Sequence, residues 1–247
     1  MRKSAELKEA VRERAERRVR TMAPGRRLRF QLALDVLERK LDGTVELLDA
    51  GCGEGLFTVS VASRHPSWRV VGVDLSDEGL ARARSATKGM PNVRILKRDL
   101  TTDLGANRYD AVAALECLEE IPDDDAALLR MSQALRAGGL FVAHVPEAQW
   151  TPVLPRSARA WRHEVRHGYT REELTDKLAN VGLDMLTIVP TTRGTVGLAL
   201  EIRDRIKTSS LKRRLLAYPG MVAAVRLERL GLTWGPPRGL LIEARRQ

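Results

Sequence analysis

The chain predicts an α/β fold, a doubly wound sheet that is mostly parallel, and three observations carry that expectation. First, apolar runs recur between residues 45 and 145 as VELLDA, WRVVGVD, NVRILKRD, YDAVAAL and GLFVAHV. Segments of helical content separate them, among them FTVSVASRH, DEGLARARSAT and DDAALLRMSQALR, and strands alternating with helices make βαβ units. Second, LLDAGCGEG at 47–55 runs from a strand through three glycines into a helix, the place where an open α/β sheet receives a ligand. Third, 247 residues with 43% hydrophobic and 30% charged side chains suit one globular α/β domain with appended helices.

The elements follow in order. Leu7, Val11, Ala15 and Val19 form a narrow apolar stripe on a charged helix, APG at 23–25 breaks it, and RRLRFQLALDVLERKL restarts an amphipathic helix that ends near Gly43. Residues 1–43 therefore read as an N-terminal helical cap and 44–247 as the main domain. After the fifth strand the pattern loosens, and 146–169 reads as a long loop or a short irregular helix. TREELTDKLANVG is a helix with Thr170 as its N-cap and Gly182 near its end. LDMLTIVP is a sixth strand. Residues 194–235 read as a helical insertion interrupted at YPG, and RGLLIEARR supplies a last strand.

Charge is uneven. Residues 1–40 hold 13 basic against 6 acidic side chains, 41–192 hold 17 against 22, and 193–247 hold 12 against 4, which yields the net +10. Basic ends suit nucleic acid, anionic lipid or an acidic acceptor, or form solvated helix faces. No window reaches the ~18 apolar residues of a membrane span, and the N-terminus is too charged for a secretory signal. Two cysteines cannot make a disulfide framework, so the expected location is cytoplasmic, with peripheral membrane contact as an option.

The chemistry gathers where strands end. Asp49 closes the first strand ahead of Gly51, Gly53 and Gly55, where absent side chains let a ligand approach the backbone. Asp74 ends the second strand, 25 residues later, where a carboxylate can accept two hydrogen bonds from a ribose diol. Asp99 and Glu116 follow the third and fourth strands. Four acids at one sheet edge are not what packing alone predicts.

These segments, with LEEIPDDD and LRAGGLFVAHVP, resemble the class I S-adenosylmethionine-dependent methyltransferases over residues 45–145, closest in texture to the small-molecule, ubiquinone-pathway branch. The resemblance implies a seven-stranded sheet with an antiparallel last strand and S-adenosyl-L-methionine as cofactor. It places Asp49, Gly51, Cys52, Gly53 and Gly55 in the loop against the methionine part, Asp74 on the ribose, Leu75 against adenine, Asp99 and the Leu100 backbone at the adenine edge, and Glu116 near the sulfonium. It also implies that the 194–235 insertion and the N-terminal helices cover the active-site mouth.

LECLEEIPD stands where base amino-methyltransferases carry a PP(Y/F) signature, which disfavours adenine or cytosine as acceptor. Related O-methyltransferases place ExxEH here to hold a divalent ion. The matching Glu116, Glu119 and Glu120 lack the histidine, and no metal is assigned. His163 and His167, spaced i, i+4, are candidate general bases, with a loop whose histidines cap or pack as the alternative. Tyr169 is either a substrate-facing hydroxyl in the same candidate catalytic set or a staple residue ahead of the Thr170 cap. The expected function is O-methylation of a small or lipid-like metabolite such as a quinone, polyketide or sugar-containing natural product. An RNA or protein methyltransferase ranks second and a membrane-surface or cofactor-binding protein without turnover third. Nucleic acid ranks below a small molecule as partner.

Overall fold

Alternating apolar runs and glycine-ended turns fold into one sheet with helices on both faces. In the computed structural model, residues 24–150, 165–206 and 219–247 are described, the last span without 221, 225, 228, 229, 233 and 236. The described helices are α1 (Pro24–Lys40), α2 (Leu56–Arg64), α3 (Asp77–Ala86), α4 (Asp124–Ala134), α5 (Arg171–Asn180) and α6 (Gly194–Ile206). The strands are β1 (Glu46–Ala50), β2 (Arg69–Asp74), β3 (Val93–Lys97), β4 (Tyr109–Leu115), β5 (Leu135–Pro146), β6 (Leu183–Thr191) and β7 (Gly239–Arg246).

The seven strands lie in the order β3-β2-β1-β4-β5-β7-β6. All neighbours among the first five are parallel, and β7 runs antiparallel to both β5 and β6. The order reverses between β1 and β4, so their carboxyl ends flank the crevice where ligands settle in such sheets. The inner strands are apolar on both sides because both faces are covered. Leu47, Val70, Ala111 and Val142 pack under α1 and α2 through Leu34, Leu37, Phe57 and Val59. Leu48, Val71, Val112 and Phe141 pack on the other face against α4 and α5 through Leu128, Met131, Leu174 and Leu178.

Local signals set the boundaries. Ser76 caps α3 by accepting from the Gly79 N–H at 3.1 Å, Asp123 caps α4 through Ala126, and Thr170 caps α5 through Glu173. Pro24 opens α1, a position that asks for no N–H donor. Pro219 and Gly220 are helical, and Tyr218, the first residue of the expected YPG break, lies outside the described residues.

Two features bear on the site. Helix α1 lies across the middle of the sheet, and its Leu28 also packs on Val196 of α6 and Ala224 of the insertion. The described part of the N-terminal helix and the insertion are thus packed together. Tyr169 follows the β5 loop, fully buried, with its hydroxyl donating to Asp124 Oδ2 at 2.7 Å and Arg166 lying 4.0 Å from the ring centroid. Asp124 also holds Arg166 and Lys177. Tyr169→Phe is expected to cost about 1 to 1.5 kcal/mol, since Asp124 keeps two other partners. Urea unfolding measures it, and an unchanged midpoint would contradict this role.

Candidate functional site

The site begins where β1 ends. Asp49 is buried and accepts from Thr58 Oγ1 at 2.5 Å, which ties the strand to the first turn of α2. Burial, and secondarily the Asp74 charge, push its pKa up to about 7 against the opposing Thr58 hydrogen bonds. Asp49 therefore supports the loop from beneath rather than presenting a carboxylate at the open edge. Because its folded pKa lies above the ordinary 3.8, its contribution to stability is full below that value and drains away as pH rises through 7. Asp49→Asn, which keeps an oxygen for Thr58, is expected to lose less stability than wild type between about pH 4 and pH 8. Thermal melts across that range decide it, and parallel curves would count against it.

The loop itself hangs on β2. The Gly51 and Cys52 N–H groups both donate to the Val73 carbonyl at 2.9 Å, and the Gly53 N–H donates to Asp74 Oδ2 at 2.7 Å. Asp74 Oδ1 accepts from the Ser76 N–H at 2.8 Å. Each carboxylate oxygen has a second lone pair, so Asp74 still has capacity for a diol while it braces the loop. Gly51 and Gly53 take left-handed φ angles of 74° and 51°. A Cβ at Gly53 would meet nothing within 4 Å, whereas one at Gly51 would lie 2.5 Å from Cys117 Cβ. Gly53 thus faces open space and Gly51 faces packed protein. Gly55 starts α2 and sits against Ala83 of α3.

Farther along the edge, Leu75 is 56% exposed, an apolar side chain left more than half open beside Asp74. Asp99 Oδ1 accepts from the Thr101 N–H and Oγ1, which hold its pKa below the ordinary value, and Leu100 beside it is buried. Cys52 and Cys117 are free thiols, each pushed up in pKa by burial. Cys117 donates to the Ala50 carbonyl at 3.3 Å, a packing role beneath the loop.

Glu116 ends β4 with φ +59°, a left-handed backbone that is uncommon outside glycine. Oε1 lies 2.6 Å from His144 Nδ1 and Oε2 lies 3.3 Å from an Arg29 nitrogen of α1. Burial favours the neutral acid here, but Arg29 and then His144 outweigh it and hold the pKa near 2. Glu116 is an anion throughout the neutral range. His144 is 1% exposed, and its Nε2 lies 2.7 Å from Thr191 Oγ1 at the end of β6. Burial lowers its pKa against the pull of Glu116.

The structure thus brings the strand-end residues Gly53, Asp74, Leu75, Asp99 and Glu116 to one edge. His167 is exposed in the bend before Tyr169, while His163 lies outside the described residues, as does Trp161. Trp150 is buried beneath Arg238, whose guanidinium stands 4.5 Å from its ring centroid. A cleft of 390 Å³ opens beside it between the ends of β5 and β6 and the start of α5. Among the described residues no group of three or more His, Cys, Asp or Glu side chains could hold a metal ion, and Glu119 is buried.

Sequence reasoning missed Arg29, His144 and Thr191. A signal for His144 existed: a histidine inside the apolar run LFVAHVP of a doubly covered strand is the informative residue there.

Known proteins bear on this edge. Residues 47–139 match a family model described as methyltransferase domain. The trans-aconitate 2-methyltransferase of Azoarcus sp. is 35% identical over 119 residues, 48% of this chain and 46% of that one. The ubiquinone biosynthesis O-methyltransferase of Leptothrix cholodnii is 33% identical over 104 residues, 40% of this chain and 43% of that one. The chain spans less than half the length of these relatives. The [4+2]-cyclase SpnF superposes with TM-score 0.66 at 24% identity, covering 88% of this chain and 81% of its own. The phosphoethanolamine N-methyltransferase 2 of Haemonchus contortus, in complex with S-adenosyl-L-methionine, does so with TM-score 0.65 at 22% identity, covering 87% and 52%. A fold that hosts both a cyclase and methyltransferases leaves the activity to be argued from the site.

Proposed function

We propose, from the premise that the chain belongs over residues 47–139 to the class I S-adenosylmethionine-dependent methyltransferases, that it methylates a hydroxyl oxygen of a small or lipid-like metabolite. The carrying observation is the edge itself: the open face of Gly53, the exposed Leu75 and the spare lone pairs of Asp74 stand side by side. These residues fit S-adenosyl-L-methionine. Gly51, Cys52, Gly53 and Gly55 would take its methionine part, Asp74 its ribose, Leu75 its adenine face, and Asp99 with the Leu100 N–H the adenine edge. Bound there, it supplies a methyl group on a positively charged sulfur.

Everything else falls to the chain. The main task is to hold an acceptor atom in line with that methyl group, which positioning alone can accelerate greatly. Glu116 contributes a fixed negative charge at the end of β4, on the sulfonium side of the crevice. With a pKa near 2 it cannot act as a general base at neutral pH, but its remaining lone pairs can accept a hydrogen bond from an acceptor O–H. A fixed carboxylate repels an acceptor carboxylate, so the edge favours an atom that carries a hydrogen. Removal of the hydroxyl proton is assigned to His167 or His163. Full turnover by both His167→Ala and His163→Ala would overturn that assignment.

The test is transfer of labelled methyl from S-adenosyl-L-methionine to fractionated host extract, with mass analysis of the product. The label is expected to survive mild alkali, as an ether does. Release of labelled methanol would point to a methyl ester and sink the hydroxyl assignment, and a labelled macromolecule would favour the RNA or protein reading.

One observation favours a lipid-like acceptor reached at a membrane surface. Leu230, Leu232 and Trp234 are 72%, 62% and 56% exposed within the basic 193–247 stretch. Apolar side chains among cations suit an anionic bilayer interface. No described helix is long and apolar enough to cross a membrane. Vesicles of anionic phosphatidylglycerol are expected to sediment the wild-type protein, and the Leu232→Asp, Trp234→Asp variant several-fold less. Equal sedimentation would remove this reading.

A further inference from the structure

Glu116, His144, Thr191 and Thr192 form a hydrogen-bonded chain across the carboxyl ends of β4, β5 and β6. The links are 2.6 Å from Glu116 Oε1 to His144 Nδ1, 2.7 Å from His144 Nε2 to Thr191 Oγ1, and 3.4 Å from Thr191 to Thr192. His144 and both threonines are buried.

The chain has one consistent direction. An ionised carboxylate only accepts, so the His144 Nδ1 must carry the hydrogen. A neutral imidazole then has Nε2 as its acceptor, and the Thr191 hydroxyl must donate. The Glu116 carboxylate thereby selects the tautomer that imidazole in water disfavours, and Thr191, donating to Nε2, fixes the orientation of the ring that holds Glu116.

The fold makes room for this chain at three unusual positions. Glu116 and Thr192, its two ends, have φ of +59° and +52°, and a left-handed backbone at a β-branched residue is an outlier. Gly239, which pairs with both Pro146 and Thr191, admits no side chain, since a Cβ there would lie 2.5 Å from His144 Cε1. Strain of this kind persists where the surroundings impose it, and it gathers at functional sites. A polar chain inside a sheet core is costly unless every member is paired, and here each link has its partner.

We propose that His144 and Thr191 are positioning residues for methyl transfer: Thr191 donates to Nε2 and holds the His144 ring in place, and His144, donating from Nδ1, aims the Glu116 carboxylate at the reacting edge. This rests on the methyltransferase reading above. The far end of the chain, Thr191 and Thr192, is where β6 hands over to α6, so the turn into that helix and the Glu116 carboxylate share one set of hydrogen bonds.

The test compares Thr191→Val, which keeps the shape and removes the hydroxyl, with Thr191→Ser, which keeps the hydroxyl, and with His144→Asn, whose amide can still donate to Glu116. Nitrogen chemical shifts of labelled histidine are expected to show His144 with the hydrogen on Nδ1 in wild type, Thr191→Ser and Thr191→Val alike, because Glu116 sets it. Methyl transfer to the labelled extract fraction is expected to fall about 2- to 12-fold in kcat for Thr191→Val, the scale of one lost neutral hydrogen bond. KM and S-adenosylhomocysteine affinity should stay near wild type, Thr191→Ser should be nearly unimpaired, and His144→Asn should exceed His144→Leu. The proposal is overturned if wild-type His144 carries its hydrogen on Nε2, if Thr191→Val loses no kcat, or if Thr191→Ser is equally slow. A wild-type protein that binds S-adenosylhomocysteine yet transfers nothing would sink the methyltransferase reading instead, and the wild-type tautomer would still judge the Glu116–His144 link.

Discussion

Asp74→Ala is expected to weaken S-adenosylhomocysteine binding by roughly 100-fold or more, the largest loss of affinity for any single side chain at this edge. Asp74 does two jobs with one carboxylate. It would accept the ribose hydroxyls, and in the structure it already accepts the Gly53 N–H at 2.7 Å and the Ser76 N–H at 2.8 Å. Hydrogen bonds to a charged group contribute about 1.5 to 3 kcal/mol each, and two to the ligand alone reach the stated factor. Releasing the Gly53 N–H adds to it, because the loop facing the ligand loses its anchor. Asp74→Asn keeps one acceptor oxygen and is expected to fall between. Calorimetric titration with S-adenosylhomocysteine checks the order. Wild-type affinity in Asp74→Ala would remove Asp74 from the cofactor site, and with it the reading of the β2 end.

The order of effects reflects what sequence spacing can carry. Asp49, Asp74, Asp99 and Glu116 were visible because each acid follows its own apolar run, and a parallel sheet must bring those ends to one edge. Spacing could not show that Asp49 turns beneath the loop onto Thr58 while Asp74 faces outward, since burial of a particular carboxylate depends on the helix packed above it. Tyr169 illustrates the same limit. Its place ahead of the Thr170 cap was legible, but its hydroxyl points at Asp124, 45 residues upstream, and only packing of α4 on α5 brings them together. Arg29 was invisible for a different reason. On a helix whose first turns are rich in arginine, nothing local singles out the one that reaches Glu116. His144 was the residue that sequence reasoning could have weighed, being polar in a strand buried on both faces. Its partners Glu116 and Thr191 are 28 and 47 residues away, so their identity is a matter of sheet order alone.

Gly51 and Gly53 look alike in GCGEG, and the structure separates them, Gly51 facing packed protein and Gly53 open space. Both have left-handed φ, so alanine at either costs about 1 to 2 kcal/mol of backbone strain. At Gly51 the added Cβ would stand 2.5 Å from Cys117 Cβ and 2.9 Å from its sulfur. A Cβ cannot rotate away, so backbone must shift, and overpacking adds about 1 to 3 kcal/mol. Gly51→Ala is therefore expected to lower Tm by roughly 6 to 12 °C, taking ~3 kcal/mol in a chain of this size. Cys117→Gly should relieve the clash but not the strain, so a double-mutant cycle is expected to recover about 1 to 3 kcal/mol as coupling. At Gly53 the added Cβ meets nothing, and only the strain remains. Its Tm should fall by roughly 2 to 8 °C, while S-adenosylhomocysteine affinity drops at least about tenfold because the methyl group occupies the open face. Melting curves and titrations on the two variants settle the matter together. Equal Tm losses would mean that Cys117 does not back Gly51, and undiminished affinity in Gly53→Ala would mean that the ligand does not pass over Gly53.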